Sequence, residues 1–219
     1  MSGRSKTAVR LSSAETRRLR ERAEDLLRQE IRFVYVAEFE SLVNDEAVIA
    51  AEVLIEQLRT RGRIEREAMQ VSAEIPGNDP QGMRDWTSGD PLLTFDDEQV
   101  LFRAMNLLRF QINQLRARLS PRRPSAELIE LIESKLRKAD DIRDQLVRSN
   151  LRLVTSIARK FAGSGAEVDE FSSDGCTILL GAIDRFDYSR GFRFSGIFSG
   201  RGKSDNDAKS DFQMRPANC

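Results

Sequence analysis

Residues 125–161, SAELIELIESKLRKADDIRDQLVRSNLRLVTSIARKF, carry one apolar stripe along their whole length. Apolar residues recur every three or four positions, which is the repeat of one helix face. Ser125 stands where an N-cap is expected. The stripe consists of Leu128, Ile132, Leu136, Ala139, Ile142, Leu146, Asn150, Leu153, Ile157 and Phe161. The stretch predicts one long helix, in which Asn150 is interpreted as a hydrogen-bonded register device.

A second helix is predicted upstream, over residues 92–119. Thr94 can cap it, and the acidic residues Asp96, Asp97 and Glu98 suit the positive end of the helix dipole. Its apolar positions repeat as a heptad: Leu101, Met105, Leu108, Ile112, Leu115 and Leu119. Between the two helices, SPRRPS at 120–125 breaks the pattern.

A third helix is predicted downstream, over residues 169–186, after the break AGSGAE at 162–167. Its apolar side holds Phe171, Leu179, Ala182, Ile183 and Phe186. Strand signals are almost absent from the chain. The predicted fold is therefore all-α, a bundle of long helices.

The N-terminal part is predicted as a helical extension of that bundle. Ser12 and Glu15 form a capping box that opens a helix, and a second helical pattern runs from about residue 46 to 71. Between them, IRFVYV at 31–36 is β-branched and aromatic, which favours one short extended piece.

Four segments follow from these patterns. Residues 1–73 are predicted as the helical extension, and residues 74–90, which contain EIPGNDPQGM, as a linker. Residues 91–195 form the predicted helical domain, and residues 196–219 are predicted to be a disordered tail.

The composition excludes several classes of function. The chain has no histidine, so the commonest general base and metal ligand are absent. Its two cysteines form no zinc pattern, and no apolar run is long enough to cross a bilayer. The sequence predicts a cytoplasmic protein that is not an enzyme, with no cofactor, metal, small-molecule substrate or membrane partner.

Two stretches of the chain together follow one known pattern: RSNLRLVTSIARKF at 148–161 and DEFSSDGCTILLGAIDRFDYSRGFRFS at 169–195. They resemble region 2 of the bacterial sigma-70 factors. LLTFDDEQVLFRAMNLL, further upstream, resembles region 1.2 of that family. The resemblance covers roughly residues 91–195. It implies a sigma region 2-like fold and a subunit that acts in transcription initiation on core RNA polymerase and promoter DNA.

The resemblance also implies a polymerase-binding face on the 169–186 helix. In the family, this helix docks on a coiled coil of the polymerase β′ subunit. Matched position by position, the contact residues are Glu170, Ser173, Asp174, Cys176 and Leu180. Ser173 and Cys176 depart from the family, which commonly has Gln and Asn there. An ordinary solvated helix face is the alternative interpretation.

A DNA-binding site is implied for the RGFRF stretch. The family uses aromatic residues to hold flipped bases of the −10 element, and Phe192 and Phe194 match two such positions. Arg190 and Arg193 are expected to meet phosphates. The alternative is that Phe194 belongs to the core and only Phe192 is exposed.

The sequence leaves the family pattern after Ser195. The family continues with Thr-Tyr-Ala and a tryptophan-bearing helix, whereas this chain continues with GIFSGRGKSDNDAKSDFQMRPANC. The stretch is interpreted as a truncation or a frameshift, a hypothesis that the gene sequence around the Ser195 codon would test. Promoter DNA binding is therefore expected to be weak or incomplete.

The predicted function is that of a truncated sigma-70-family initiation factor. It is expected to dock on core RNA polymerase and to contribute to −10 binding while being defective in promoter melting. The alternative is a helical adaptor for protein–protein contacts without a DNA role. The RGFRF stretch favours the first, because an adaptor has no need of aromatic residues beside arginines.

Overall fold

The structure, a computed structural model, describes residues 12–41, 45–73, 91–198 and 200, and every regular element within them is helical. The α-helices are α1 (Ser13–Arg28), α2 (Glu46–Ala73), α3 (Phe95–Arg116), α4 (Ala126–Phe161), α5 (Gly165–Arg185) and α6 (Phe194–Phe198). Single 3-10 turns lie at Ala37–Glu40 and Tyr188–Arg190. No β-strand occurs in these ranges, and the predicted all-α fold is confirmed.

α3 and α4 pack along each other, and each begins at the cap that the sequence predicts. The Thr94 hydroxyl accepts a hydrogen bond from the Asp97 N–H at 3.1 Å, and the Ser125 hydroxyl accepts one from the Leu128 N–H at 3.3 Å. The first four residues of the α3 seam are fully buried: Leu101, Met105, Leu108 and Ile112. The heptad therefore faces the core, as its spacing predicts.

α4 runs from 126 to 161 as one helix, in agreement with its stripe. Asn150 is buried, and its side-chain amide donates to the Leu146 carbonyl at 2.7 Å. This bond lies within α4, so Asn150 satisfies its polar group locally. The stripe leaves the core at its end, where Phe161 is 76% exposed.

α5 begins at Gly165, four residues before its predicted start. The stretch that the sequence analysis assigned to a break supplies the cap. The Ser164 hydroxyl accepts from the Glu167 N–H at 3.4 Å, and the Glu167 carboxylate accepts from the Gly163 N–H at 2.6 Å. Leu179 and Ile183 of the predicted apolar side are buried, whereas Phe171 is partly exposed.

The N-terminal elements pack on the same bundle. α1 lies on α4, where Leu19, Ala23 and Leu26 share a small core with residues of α3 and α4. The first half of α2 contributes Val48, Ala51, Leu54, Ile55 and Leu58 to the main core, together with residues of α3, α4 and α5. Residues 74–90, the predicted linker, lie outside the described residues, and the helices on its two sides share one core.

Residues 31–36, here called the N-terminal strap, cross α3 without forming a helix. Their backbone is held by polar side chains of α3: Asn106 accepts from the Val34 N–H at 2.7 Å, and Arg109 donates to the Arg32 carbonyl at 3.2 Å. The rings of Phe33 and Tyr35 each lie 5.9 Å from the ring of Phe110. The predicted extended piece is thus a strap on a helix rather than a strand in a sheet.

The predicted disordered tail begins too early by at least three residues. α6 includes Gly196, Ile197 and Phe198, and the Phe198 ring stacks on the buried Phe194 ring at 5.7 Å. The rest of the tail, apart from Gly200, lies outside the described residues. Among the described residues, none of the helices contains an apolar stretch of the length that a bilayer span requires.

Candidate functional site

The outer face of α5 carries the residues matched to polymerase binding. Glu170, Ser173 and Asp174 are exposed, and their spacing of three and one places them on one side of the helix. Cys176 and Leu180 are half-buried beside them. All five residues thus lie on or at the edge of one solvent-facing surface, called here the α5 face.

The α5 face is acidic and partly apolar. Glu167 and Asp169 are also exposed in the first turns of the helix, and the Phe171 ring is 39% exposed next to Glu170. Burial raises the pKa of the Cys176 thiol, so that it is neutral near pH 7 and acts as a small apolar group. Such a surface suits a basic partner that also covers apolar area.

The opposite side of α5 is fixed by one close approach to α4. An added Cβ at Gly175 would lie 2.5 Å from Cγ1 of Val154, which is shorter than any normal contact. Gly175 follows Asp174 in the sequence. Glycine therefore allows α5 to pack against α4 at the turn from which Asp174 projects to solvent.

The RGFRF segment, residues 190–194, follows the 3-10 turn at the end of α5. Gly191 has a φ of 71°, in the left-handed region, and its N–H donates to the Tyr188 carbonyl, which closes the 3-10 turn. Phe192 is 54% exposed and Arg190 lies in solvent, 3.9 Å from the Asp187 carboxylate. The Phe192 ring and the Arg190 guanidinium are thus both accessible from solvent. Base stacking requires an accessible ring, and phosphate contact requires an accessible cation.

Phe194 lies in the core, in contrast to its predicted contact with a base. It is 2% exposed, and its ring lies 5.6 Å from Phe102, 5.2 Å from Phe186 and 5.7 Å from Phe198. Aromatic burial of this size stabilises the bundle strongly. The structure thus has the alternative arrangement, in which Phe194 anchors the segment and Phe192 remains available.

Arg193 is held by α3 rather than left free for phosphate. Its Nη2 donates to the Leu93 carbonyl at 2.6 Å and to the Glu98 carboxylate at 3.3 Å. Half of the side chain is still exposed. The other carboxylate oxygen of Glu98 accepts from the backbone N–H of Phe194 at 2.9 Å. Glu98 itself is 1% exposed, so it is a buried carboxylate whose two oxygens both bind the RGFRF segment.

Sequence reasoning missed Glu98, which was interpreted only as a first-turn acidic residue favoured by the helix dipole. A signal for its burial exists in the spacing. Glu98 lies three residues before Leu101 and so continues the α3 seam by one step. A carboxylate on a core stripe predicts a buried polar partner, although the spacing does not say where in the chain that partner lies.

A cluster of charged side chains that the sequence did not reveal also connects the strap with α3, α4 and α5. Asp184 accepts from Arg109 at 2.9 Å and from Arg143 at 2.7 Å, and all three side chains are largely buried. They line a cleft of about 330 Å³ together with Glu30 and Arg32 of the N-terminal part. Since Arg109 also holds the strap carbonyl, the cluster fixes the N-terminal segment to the helix that carries the α5 face.

Comparison with known families supports the assignment of this region. The family described as Sigma-70 region 2 matches residues 146–196, from the second half of α4 to the start of α6. The match therefore contains the α5 face, the close approach at Gly175 and the whole RGFRF segment. Glu98, Arg109 and the strap lie outside it.

Individual proteins with similar sequences carry sigma-factor names. The chain is 31% identical over 137 residues to RNA polymerase sigma factor sigB of Arabidopsis thaliana, covering 57% of this chain and 24% of that protein. It is 36% identical over 66 residues to the principal sigma factor HrdD of Streptomyces griseus, covering 30% of this chain and 20% of that protein. It is 39% identical over 69 residues to the sigma-F factor of Bacillus licheniformis, covering 32% and 27%.

This chain thus spans less than a third of the length of each of these relatives. No solved structure matches it.

Proposed function

We propose that this chain belongs to the sigma-70 family through its region 2. From that premise we propose that it acts in transcription initiation by docking on core RNA polymerase. The observation that carries the proposal is the coincidence of the family match at 146–196 with a packed unit that exposes two surfaces. One is the acidic α5 face, and the other is the exposed part of the RGFRF segment.

Docking is assigned to the α5 face, with the coiled coil of the β′ subunit as its partner. A basic partner is attracted by the exposed carboxylates of Glu170 and Asp174, while Leu180 and the neutral Cys176 offer apolar contact. Because Gly175 lets α5 pack closely on α4, the face is presented by a rigid helix. Rigid presentation lowers the entropy cost of binding.

Reversal of one charge tests the docking surface. Asp174→Lys is expected to weaken binding of the chain to purified core polymerase by about 1–3 kcal/mol, because it spoils a charge-assisted contact. Affinity is measured by titration of labelled core polymerase. The control is Glu65→Lys, an equal charge reversal at an exposed position of α2. Equal affinity of both variants and the parent chain would assign docking to another surface.

DNA contact is assigned chiefly to Phe192 and Arg190, with Arg193 as a partly exposed contributor and Phe194 as the anchor beneath them. In the complex with polymerase, the Phe192 ring is proposed to stack on an unpaired base of the −10 element. Stacking of this kind contributes about 1–3 kcal/mol per base. Arg190, exposed beside it, is proposed to contact a phosphate.

The same residues limit what the 219-residue chain does at a promoter. With Phe194 in the core, the RGFRF segment offers one exposed ring, worth about 1–3 kcal/mol. Specific DNA sites are typically about 4–10 kcal/mol better than non-specific ones. We therefore propose polymerase binding with weak −10 contact and without specific promoter opening by this chain.

Permanganate footprinting tests the absence of opening. Core polymerase reconstituted with the 219-residue chain is expected to leave the thymines of a consensus −10 element unreactive, whereas a sigma factor that opens this promoter makes them reactive. Comparable reactivity would show that Phe192 and its neighbours suffice for melting. Polymerase binding without any affinity for −10 DNA would favour the helical adaptor instead.

A further inference from the structure

We propose that Glu98 is a positioning residue for DNA contact: its buried carboxylate fixes the RGFRF segment so that Phe192 and Arg190 face the −10 strand. The inference rests on the proposed function, since it concerns the same segment. It adds a residue of α3 that lies outside the part of the chain matched by region 2.

The geometry singles out Glu98 because it uses both of its oxygens on residues about a hundred positions away. Oε2 accepts from the Phe194 N–H at 2.9 Å, and Oε1 accepts from Arg193 at 3.3 Å. Arg193 also donates to the Leu93 carbonyl at 2.6 Å, just before α3. The chain on the C-terminal side of Phe192 is thus tied to α3 through a backbone amide and a side chain.

On its N-terminal side, Phe192 follows a residue that is hydrogen-bonded to the 3-10 turn, since the Gly191 N–H donates to the Tyr188 carbonyl at 3.3 Å. Gly191 adopts the left-handed conformation, and Tyr188, three residues earlier, is buried. Phe192 therefore lies between two anchored points, with its own ring in solvent. The two anchored points fix the backbone at Phe192 and so limit the directions in which its ring, 54% exposed, can point.

Capping of α3 does not explain Glu98. The Thr94 hydroxyl and the Asp97 carboxylate form the capping box, which satisfies the N–H groups of Asp97 and Thr94 without the Glu98 carboxylate. Burying a carboxylate is costly unless it is fully hydrogen-bonded. An apolar side chain at the same point of the seam would fill the space at no such cost. An apolar residue would, however, lose the hydrogen bonds that Glu98 accepts from Arg193 and from the Phe194 N–H.

The test uses two graded variants of the full chain. E98Q keeps one acceptor oxygen and loses the charge, whereas E98M keeps the length and loses both acceptors. With core polymerase bound, affinity for a fluorescent single-stranded −10 oligonucleotide is expected to fall roughly tenfold in E98M and less in E98Q. Affinity for core polymerase is expected to stay unchanged in both.

Asp96→Asn is the matched control. It removes the same charge from the same helix turn, but the Asp96 side chain is exposed and makes no hydrogen bond or ion pair with any described residue. This variant is expected to bind the oligonucleotide as the parent chain does. A loss equal to that of E98M would mean that the charge near the helix start matters and that the positioning role is wrong.

Hydrogen exchange of the free chain supplies a readout that is independent of polymerase. The Phe194 amide is expected to exchange faster in the order parent, E98Q, E98M, while amides in the middle of α3 and α4 stay protected. Unchanged exchange at Phe194, or faster exchange throughout the bundle, would overturn the inference. If the parent chain with polymerase fails to bind the oligonucleotide although Phe194 responds as expected, the proposed function fails and the DNA role of Glu98 falls with it.

Discussion

At the scale of single residues, the phenol of Tyr188, just after α5, is buried and has a raised pKa. The side chain is buried in the 3-10 turn before the RGFRF segment, and its hydroxyl has no hydrogen-bond partner in the described structure. Burial, reinforced by the negative charge of Glu38, raises the pKa of Tyr188 to about 12. The folded chain therefore keeps this proton under conditions where the unfolded chain loses it.

This shift predicts a loss of stability in alkaline solution. The unfolded phenol loses its proton above pH 10 and the folded one only near 12, so the free energy of unfolding falls as the pH rises through this window. Between pH 10 and about pH 12, the free energy of unfolding of the parent chain is expected to fall by about 1–2 kcal/mol more than that of Tyr188→Phe. Urea unfolding at a series of pH values measures the difference.

Near pH 7, Tyr188→Phe is expected to unfold at nearly the same urea concentration as the parent chain. The hydroxyl that it removes makes no hydrogen bond with any described residue, and removal of such a group is close to neutral. Identical pH profiles for the two proteins above pH 10 would show that Tyr188 ionises freely in the folded state.

Single residues were also where sequence reasoning was least complete. The aromatic pattern in RGFRF indicated that the two rings have a common role, but burial divides them into one core residue and one exposed residue. From the sequence, a buried Phe194 with an exposed Phe192 was only the alternative interpretation. Phe194 is buried because Phe186 and, from far away in the chain, Phe102 lie against it. Local spacing contains no information on such partners.

At the scale of elements, the contact of α4 with α5 depends on one missing side chain. Gly175→Ala is expected to lower the free energy of unfolding by about 1–3 kcal/mol, because its Cβ would overlap the Val154 side chain and force the helices apart. Val154→Ala in the same chain should recover part of this loss. The double-mutant cycle is measured by chemical denaturation.

Gly181→Ala provides the control within the same helix. There the nearest atom to the added Cβ is the flexible end of Arg185 at 3.4 Å, so the substitution is expected to stabilise α5 through its better helix propensity. If Gly175→Ala stabilises the chain as much as Gly181→Ala, the helices separate without cost and the close approach has no energetic importance.

Elements were the scale at which the sequence predicted most. The stripe of α4 and the seam of α3 identified both helices, because amphipathic spacing directly reflects the burial of one face. The start of α5 was predicted four residues late, because Gly163 and Gly165 were interpreted as breakers although Ser164 between them is an N-cap. Caps and breakers use the same residue types.

At the scale of the whole molecule, the N-terminal and C-terminal helices share one core, and we expect them to unfold together. Leu58→Ala in α2 removes a fully buried side chain from that core and is expected to cost about 2–5 kcal/mol. Native-state hydrogen exchange should then quicken in α5 as well as in α2. Ile49→Ala, an exposed apolar position of the same helix, serves as the control.

Faster exchange in α2 alone would instead divide the chain into independently stable parts at the predicted linker. Sequence reasoning placed a boundary there because prolines and glycines cluster at 74–83. Composition identifies where a chain leaves regular structure, but it does not reveal that Phe39 and Leu58 on one side share a core with Leu101 and Phe102 on the other.

The bonds from Glu98 to Arg193 and Phe194 span 95 and 96 positions of the chain, and this separation has a consequence for synthesis. α3 and α4 are neighbours in sequence and can pair as soon as both have left the ribosome. The carboxylate of Glu98 has no partner until Arg193 and Phe194 emerge. Its contact with the RGFRF segment therefore forms only after α3, α4 and α5 have been made, and until then the newly made chain carries an unpaired carboxylate beside its forming core.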